Sequence, residues 1–250
     1  MIFVFVNDLR EIGVRLLRYS LENRNIIITL LILCAIDLFF IISYLIISLQ
    51  PEFKTLIGPW ASRQFDLGKD QKFAEIFNYI QILALVVFLF RIFAMVRQPV
   101  YFTWALVFLI VLFDDSLKGH ENLGAYFSGM VGQMTLFGVE LQEARGAGGL
   151  RTQDVGELIA FGLIGVCIVV IMAIGFFRSN REHKIIGLIF AVLLCLLAFF
   201  AVVVDFVQRL FPMNSTLFTA VEDGGEMLTI SLTVTVALTV YRYYETLDSH

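Results

Sequence analysis

Read for polarity alone, the chain alternates six long apolar stretches with short polar ones. The apolar stretches cover residues 26–49, 79–96, 100–117, 157–177, 185–208 and 227–241. A helix that crosses a bilayer needs about 20 predominantly apolar residues, so each stretch is read as a membrane span. The sixth is the shortest, and it reaches spanning length only if the charged turn at 222–226 enters the helix too. Few polar residues interrupt the runs. Asp37 lies in the middle of the first, Arg91 near the end of the second, Asp114 and Asp115 at the close of the third, and Asp205 near the end of the fifth.

Ahead of the first span, Leu9, Ile12, Leu16 and Tyr19 recur at helical spacing with Arg10, Arg15, Arg18 and Glu22 between them. That is the pattern of an amphipathic helix lying in the membrane interface. Residues 51–73, with Gly58, Pro59 and Trp60, predict a partly helical segment on the opposite surface, and RGAGG at 145–149 predicts a flexible stretch in the longest connection. The expected organisation is therefore an all-α, polytopic bundle. An interfacial helix (1–24) precedes a six-helix transmembrane domain (25–242), and a short tail (243–250) follows. The N-terminal residues have no basic region leading into an apolar one and no cleavage site, so no cleavable signal peptide is expected.

Composition changes the picture only by excluding alternatives. With 59% hydrophobic and 16% charged residues and a mean hydropathy of +0.85, the chain has more apolar surface than a soluble domain of its size can hide. A net charge of −4 argues against nucleic acid as a partner. Cys34, Cys167 and Cys195 sit singly in apolar runs and read as small buried hydrophobes, with no disulfide or zinc-knuckle spacing. The 25 Phe and 8 Tyr are packing and interface residues. Gly162 and Gly165, with Ala160, offer a surface for close helix approach.

Orientation follows from Lys and Arg in the short loops. Arg10, Arg15, Arg18, Arg24, Arg91, Arg97, Arg178, Arg181, Lys184 and Arg242 all fall on one side of a six-span arrangement, which is ten of the 18 basic residues. That side is expected to be the cytoplasm, with both termini inside and the protein in the inner (plasma) membrane.

Threading this topology exposes a pattern no single segment shows. Glu75, Asp114, Asp115, His120, Glu121, Asp154, Glu157, Asp205, Glu222, Asp223 and Glu226 all fall at the outer, periplasmic ends of spans two to six. Acids at a helix N-terminus complement the macrodipole and cap free N–H groups, which accounts for Glu75, Asp154, Glu157, Glu222 and Asp223. It fails for Asp114, Asp115 and Asp205, which close their helices where the dipole opposes negative charge by roughly 0.3–1 kcal/mol. Lys118, Arg151, Arg209, a bound cation or shared protons are the compensations available. Asp154 with Glu157, and Glu222 with Glu226, are spaced to share a helix face. Asp114, His120, Glu157, Asp205, Glu222 and Glu226 are thus candidate metal ligands, and Asp115, Glu121 and Asp154 candidate catalytic acids or bases. An oxygen-rich set suits Ca²⁺, Mg²⁺ or Mn²⁺, and one His among carboxylates also allows Fe or Zn. Of the three His residues, only His120 is placed to join. Asp37, deep in span one, is a functional candidate by position, with a hydrogen bond to a Ser, Thr or Tyr of a neighbouring helix as its simplest role. Arg91 is placed to snorkel to the interface.

The elements DDSLKGHENLG (114–124) and EDGGEM (222–227), with RTQDVGEL (151–158) and the 75–79 region, resemble those of a bacterial family of uncharacterised multi-pass inner-membrane proteins. The resemblance covers most of 75–241 and implies a six-helix integral membrane fold without an established activity. A looser likeness, acids and a His in a membrane bundle, is to the intramembrane metal hydrolases related to alkaline ceramidases, although this chain lacks the several histidines they use for zinc.

Three functions follow. The first is a metal-dependent membrane hydrolase acting on a lipid or a periplasmic substrate, in which the metal activates water and a spare carboxylate is the base. The second is a cation or proton transporter. The third is a non-catalytic subunit of a larger membrane complex. The scarcity of polar residues at mid-membrane and the absence of helix breaks or an inverted repeat weigh against the transporter.

Overall fold

A computed structural model describes residues 2–69, 71–131, 135–136, 139–140, 152–210 and 215–248. Helix α1 (Ile2–Glu22) stops at Asn23, whose side chain accepts from the Asn25 N–H at 3.2 Å and starts α2 (Arg24–Leu49). Helix α3 (Pro51–Gln64) breaks at Gly58, with φ 82°, just before Pro59. That left-handed conformation is one glycine adopts at no steric cost. Helix α4 (Phe73–Val96) ends on left-handed Arg97 and is followed at once by α5 (Pro99–Ser116), which opens on a proline where no N–H is needed. Left-handed Lys118 then turns the chain into α6 (Gly119–Val131). A two-residue antiparallel pairing joins Thr135–Leu136 to Val139–Glu140. Helix α7 (Thr152–Arg178) leads to α8 (Arg181–Ala198), which runs through a π-helical segment, Phe199–Val204, into α9 (Asp205–Leu210). The last helix is α10 (Ser215–Asp248). The RGAGG stretch lies outside the described residues.

Among the described residues six helices are long and apolar enough to span a membrane: α2, α4, α5, α7, the continuous rod Arg181–Gln208, and α10. The all-α, six-span architecture expected from the polarity pattern is therefore the one observed. The weakest span in sequence is the longest helix in space, because the turn carrying Glu222 and Glu226 is helical and part of α10. Its poor apolarity has a physical reason. In its most apolar 18-residue stretch 67% of residues are buried, against 11% in α2 and α7. Helix α10 is the hub, packed on α2, α4, α8 and the π segment. A helix walled by protein has partners for its hydroxyls. Thr229, Thr233, Thr235 and Thr239 are all buried, and each donates to the carbonyl four residues back at 2.7–2.8 Å.

The main core joins Ile82, Leu89, Tyr101, Trp104, Ile186 and Val234 with α1 residues Ile12 and Leu16. A smaller one, Tyr44, Leu67, Ala74 and Met227, sits towards the far end. An even number of crossings returns both termini to the same end. There α1 docks through Arg181–Asp8 (2.5 Å), the Tyr19–Tyr243 ring contact and Arg15 Nη1 to Tyr243 Oη at 3.4 Å. His183 also lies at this end, its Nδ1 3.0 Å from the Tyr101 hydroxyl and 3.2 Å from that of Tyr244.

Two local expectations change. Cys167 and Cys195 are exposed on the outside of the bundle and Cys34 is half-buried, because the apolar runs that hold them face outwards there. Gly162 and Gly165 also meet nothing. The close approach on α7 is made about two turns earlier by Gly156, with Ala160 completely buried behind it.

Candidate functional site: carboxylates at one end of the bundle

The acidic residues gather at the end opposite the termini, but in two groups. Helix α5 is where they divide. Its last turn carries Asp114 and Asp115, and consecutive helical residues point about 100° apart. Asp115 faces α10 and Asp114 faces α6 and α7.

On the α10 side, the carboxylates of Asp223 and Glu226 lie within electrostatic reach of Asp115, Asp205 and Glu222, and Asp223 also of Glu75. Four spans thus contribute: α4, α5, the α8–α9 rod and α10. Glu75 also accepts from the Gln71 backbone N–H and the Tyr79 hydroxyl. Two glycines in EDGGEM make the gathering possible. A Cβ on Gly225 would lie 2.3 Å from the Phe200 ring, and one on Gly224 2.8 Å from Ile41 Cδ1. The π segment and α2 therefore close onto α10 between its acids. The π winding directly precedes Asp205, and π segments recur at functional sites.

On the α7 side, His120 returns across the Lys118 turn so that its Nδ1 stands 3.1 Å from Asp114 Oδ2. Gly119 is required there, because a Cβ would come within 2.7 Å of Asp114 Oδ1. The imidazole stacks on Phe161 with centroids 4.5 Å apart. Glu157 is buried and accepts from Gln153 Nε2 at 3.0 Å, Asp154 is buried a turn earlier, and Glu121 is half-buried with Lys118 Nζ 3.6 Å away. Helices α6 and α7 touch backbone to backbone, since a Cβ on Gly156 would lie 2.1 Å from the Gly124 carbonyl oxygen. Arg151 and the Arg209 side chain lie outside the described residues.

The candidate ligands fall into two groups. Asp114, His120 and Glu157 belong to one group, and Asp205, Glu222 and Glu226 to the other. Of the candidate catalytic residues, Asp115 joins the α10 group, while Glu121 and Asp154 stand on the α6–α7 side. Among the described residues, no three His, Cys, Asp or Glu side chains are arranged to hold a metal ion. Helix α6 leans on α7 and carries His120 with it.

Burial disfavours the charged form of His120. The hydrogen bond and charge of Asp114, with the charges of Glu121 and Glu157 behind them, outweigh it and raise the imidazole above its ordinary 6.5. A raised value in the folded state means stability fully present below about pH 6.5, the unfolded value, and lost as pH climbs through the folded one. Melting temperatures of the detergent-solubilised protein should fall across this range, and Asp114→Asn should flatten the fall. Parallel profiles for the two proteins would show that the pair contributes nothing.

Asp37 adopts its simplest role in part, accepting from Ser231 Oγ at 2.6 Å. The residues that sequence reasoning passed over are Gln81 and Asn78, buried in α4 about one and two turns beyond Glu75. The signal was present as polar residues at every third position, 75, 78 and 81, in an otherwise apolar run.

No curated protein matches the chain, and no solved structure does. One family model covers residues 27–240, all of the carboxylates above included, and the chain belongs to that family, described as "Domain of unknown function (DUF8692)".

Proposed function

We propose that this integral membrane protein binds cations at the carboxylate group around α10, on the periplasmic side of an inner membrane with both termini in the cytoplasm. The observation that carries the reading is the approach of Glu75, Asp115, Asp205, Glu222, Asp223 and Glu226 from four spans to one end of the bundle. Like charges held together in a low-dielectric setting repel, and a positive ligand or shared protons would ease that repulsion. The spread of the group over four helices, with no compact cage among the described residues, suits loosely held, exchangeable cations better than a tightly ligated catalytic metal. Handling of a cation or proton therefore takes precedence over a metal-dependent hydrolase. The buried Asn78, Gln81, Ser231 and Asp37 reinforce this order, because together they supply polarity in the middle of the membrane.

The test is the melting temperature of purified protein titrated with Ca²⁺, Mg²⁺ or Mn²⁺. A rise of several degrees is expected, and Asp205→Asn with Glu226→Gln should remove most of it. Indifference of the wild type to every divalent cation at millimolar concentration would refute cation binding and leave the subunit reading. Loss of a co-purifying membrane protein in the same double variant would then support that alternative. Stoichiometric metal in protein purified without supplement would instead restore the hydrolase.

A further inference from the structure

Below the outer carboxylates, the polar stripe of α4 continues inwards from Glu75 through Asn78 to Gln81. Facing it, α2 brings Asp37, about 20 Å along the helix from its first residue at 1.5 Å per residue, and α10 brings Ser231. Asp37 and Ser231 are completely buried, Gln81 and Asn78 nearly so. The hydrogen bonds run one way. Ser231 has a single proton and gives it to Asp37 Oδ2 at 2.6 Å, so its oxygen must receive, and it does so from Gln81 Nε2 at 2.7 Å. That direction turns the amide oxygen of Gln81 away from the serine. Three buried oxygens then accept from no donor among the described residues: Asp37 Oδ1, Gln81 Oε1 and Asn78 Oδ1. All three are acceptors. Oxygens short of positive charge and closed off from water are the complement of a small hard cation.

We infer that Asp37, Ser231, Gln81 and Asn78 form a second site, in the middle of the membrane, that takes up a small monovalent cation, a proton or Na⁺. A proton sits on Asp37 Oδ1; Na⁺ takes that oxygen in its place. The titratable groups around Asp37 are few. Cys34 is one turn back on its own helix, while Glu226 and Asp223 on α10 and Glu75 on α4 lie further out. Helices α1 and α3 also pack on α2. Exchange runs along the α4 stripe to the outer acids. The site rests on its own four residues, so it stands or falls independently of cation binding at those acids.

Infrared difference spectroscopy of the full-length protein in lipid reads this carboxyl directly, with isotope-labelled aspartate separating it from the glutamates. A carboxylic-acid band is expected at low pH that disappears on an alkaline jump, is wholly lost in Asp37→Asn and is kept in Glu226→Gln. Loss of the same band on adding Na⁺ at constant pH identifies the sodium form, and a response to pH alone identifies the proton. If Asp37→Asn does not fold, Ser231→Ala makes the assignment by shifting the band when the donor is removed. An Asp37 signal that neither pH nor Na⁺ moves would overturn the proposal and leave the three side chains as a static tie between helices.

Discussion

Gly156→Ala is expected to destabilise the protein by about 3 kcal/mol, at the upper end of what overpacking costs. The added methyl would meet the Gly124 carbonyl oxygen at 2.1 Å and the Ser128 backbone nitrogen at 2.9 Å. Both obstacles are backbone, so no side-chain rotation relieves them and α6 has to move off α7 as a body. His120 is on α6 and Phe161 on α7, so the stacked pair should part and the pH dependence that Asp114 confers should weaken as well. Gly162→Ala is the control on the same helix, because a methyl there meets nothing within 4 Å. Reversible unfolding in mixed micelles checks both. Equal effects of the two substitutions would mean that α6 and α7 do not touch as described.

Ser231→Ala is expected to cost about 2 kcal/mol, more than the average hydrogen bond between membrane helices. The excess has a cause. The hydroxyl serves two partners, and removing it strands Asp37 Oδ2 and Gln81 Nε2 together, each with the desolvation penalty of a buried polar group left unpaired. Adding Asp37→Leu to Ser231→Ala should then cost less than the sum of the single substitutions, since the second change removes one of the stranded atoms. The same unfolding measurement, run as a double-mutant cycle, decides the matter. Strict additivity would mean that Ser231 and Asp37 are not coupled.

These two sites mark where the primary structure was readable and where it was not. The spans were legible because lipid imposes one rule on every residue it touches, and α2 and α7 obey it almost throughout. That rule loosens for α10, which touches mainly protein, and so the hub of the fold carries the faintest apolar signal. Convergence of acids at one end followed from topology alone. Their division did not, because it depends on the 100° between Asp114 and Asp115 and on which helix α6 leans against. The Gly pairs at 224–225 and at 124 and 156 were visible as letters, but which glycine touches another helix is a tertiary fact, as the bare surroundings of Gly162 and Gly165 show. Gln81 and Asn78 were missed for a related reason. A uniformly apolar window hides a narrow polar flank.

The central place of α10 bears on how the protein is made. It is translated after the other five membrane-crossing helices, so these leave the ribosome before the strut that satisfies them exists. Until α10 arrives, Asp37 and Gln81 lack the serine hydroxyl that joins them in the finished bundle. The tie between α2 and α4 therefore closes only once α10 is threaded against both.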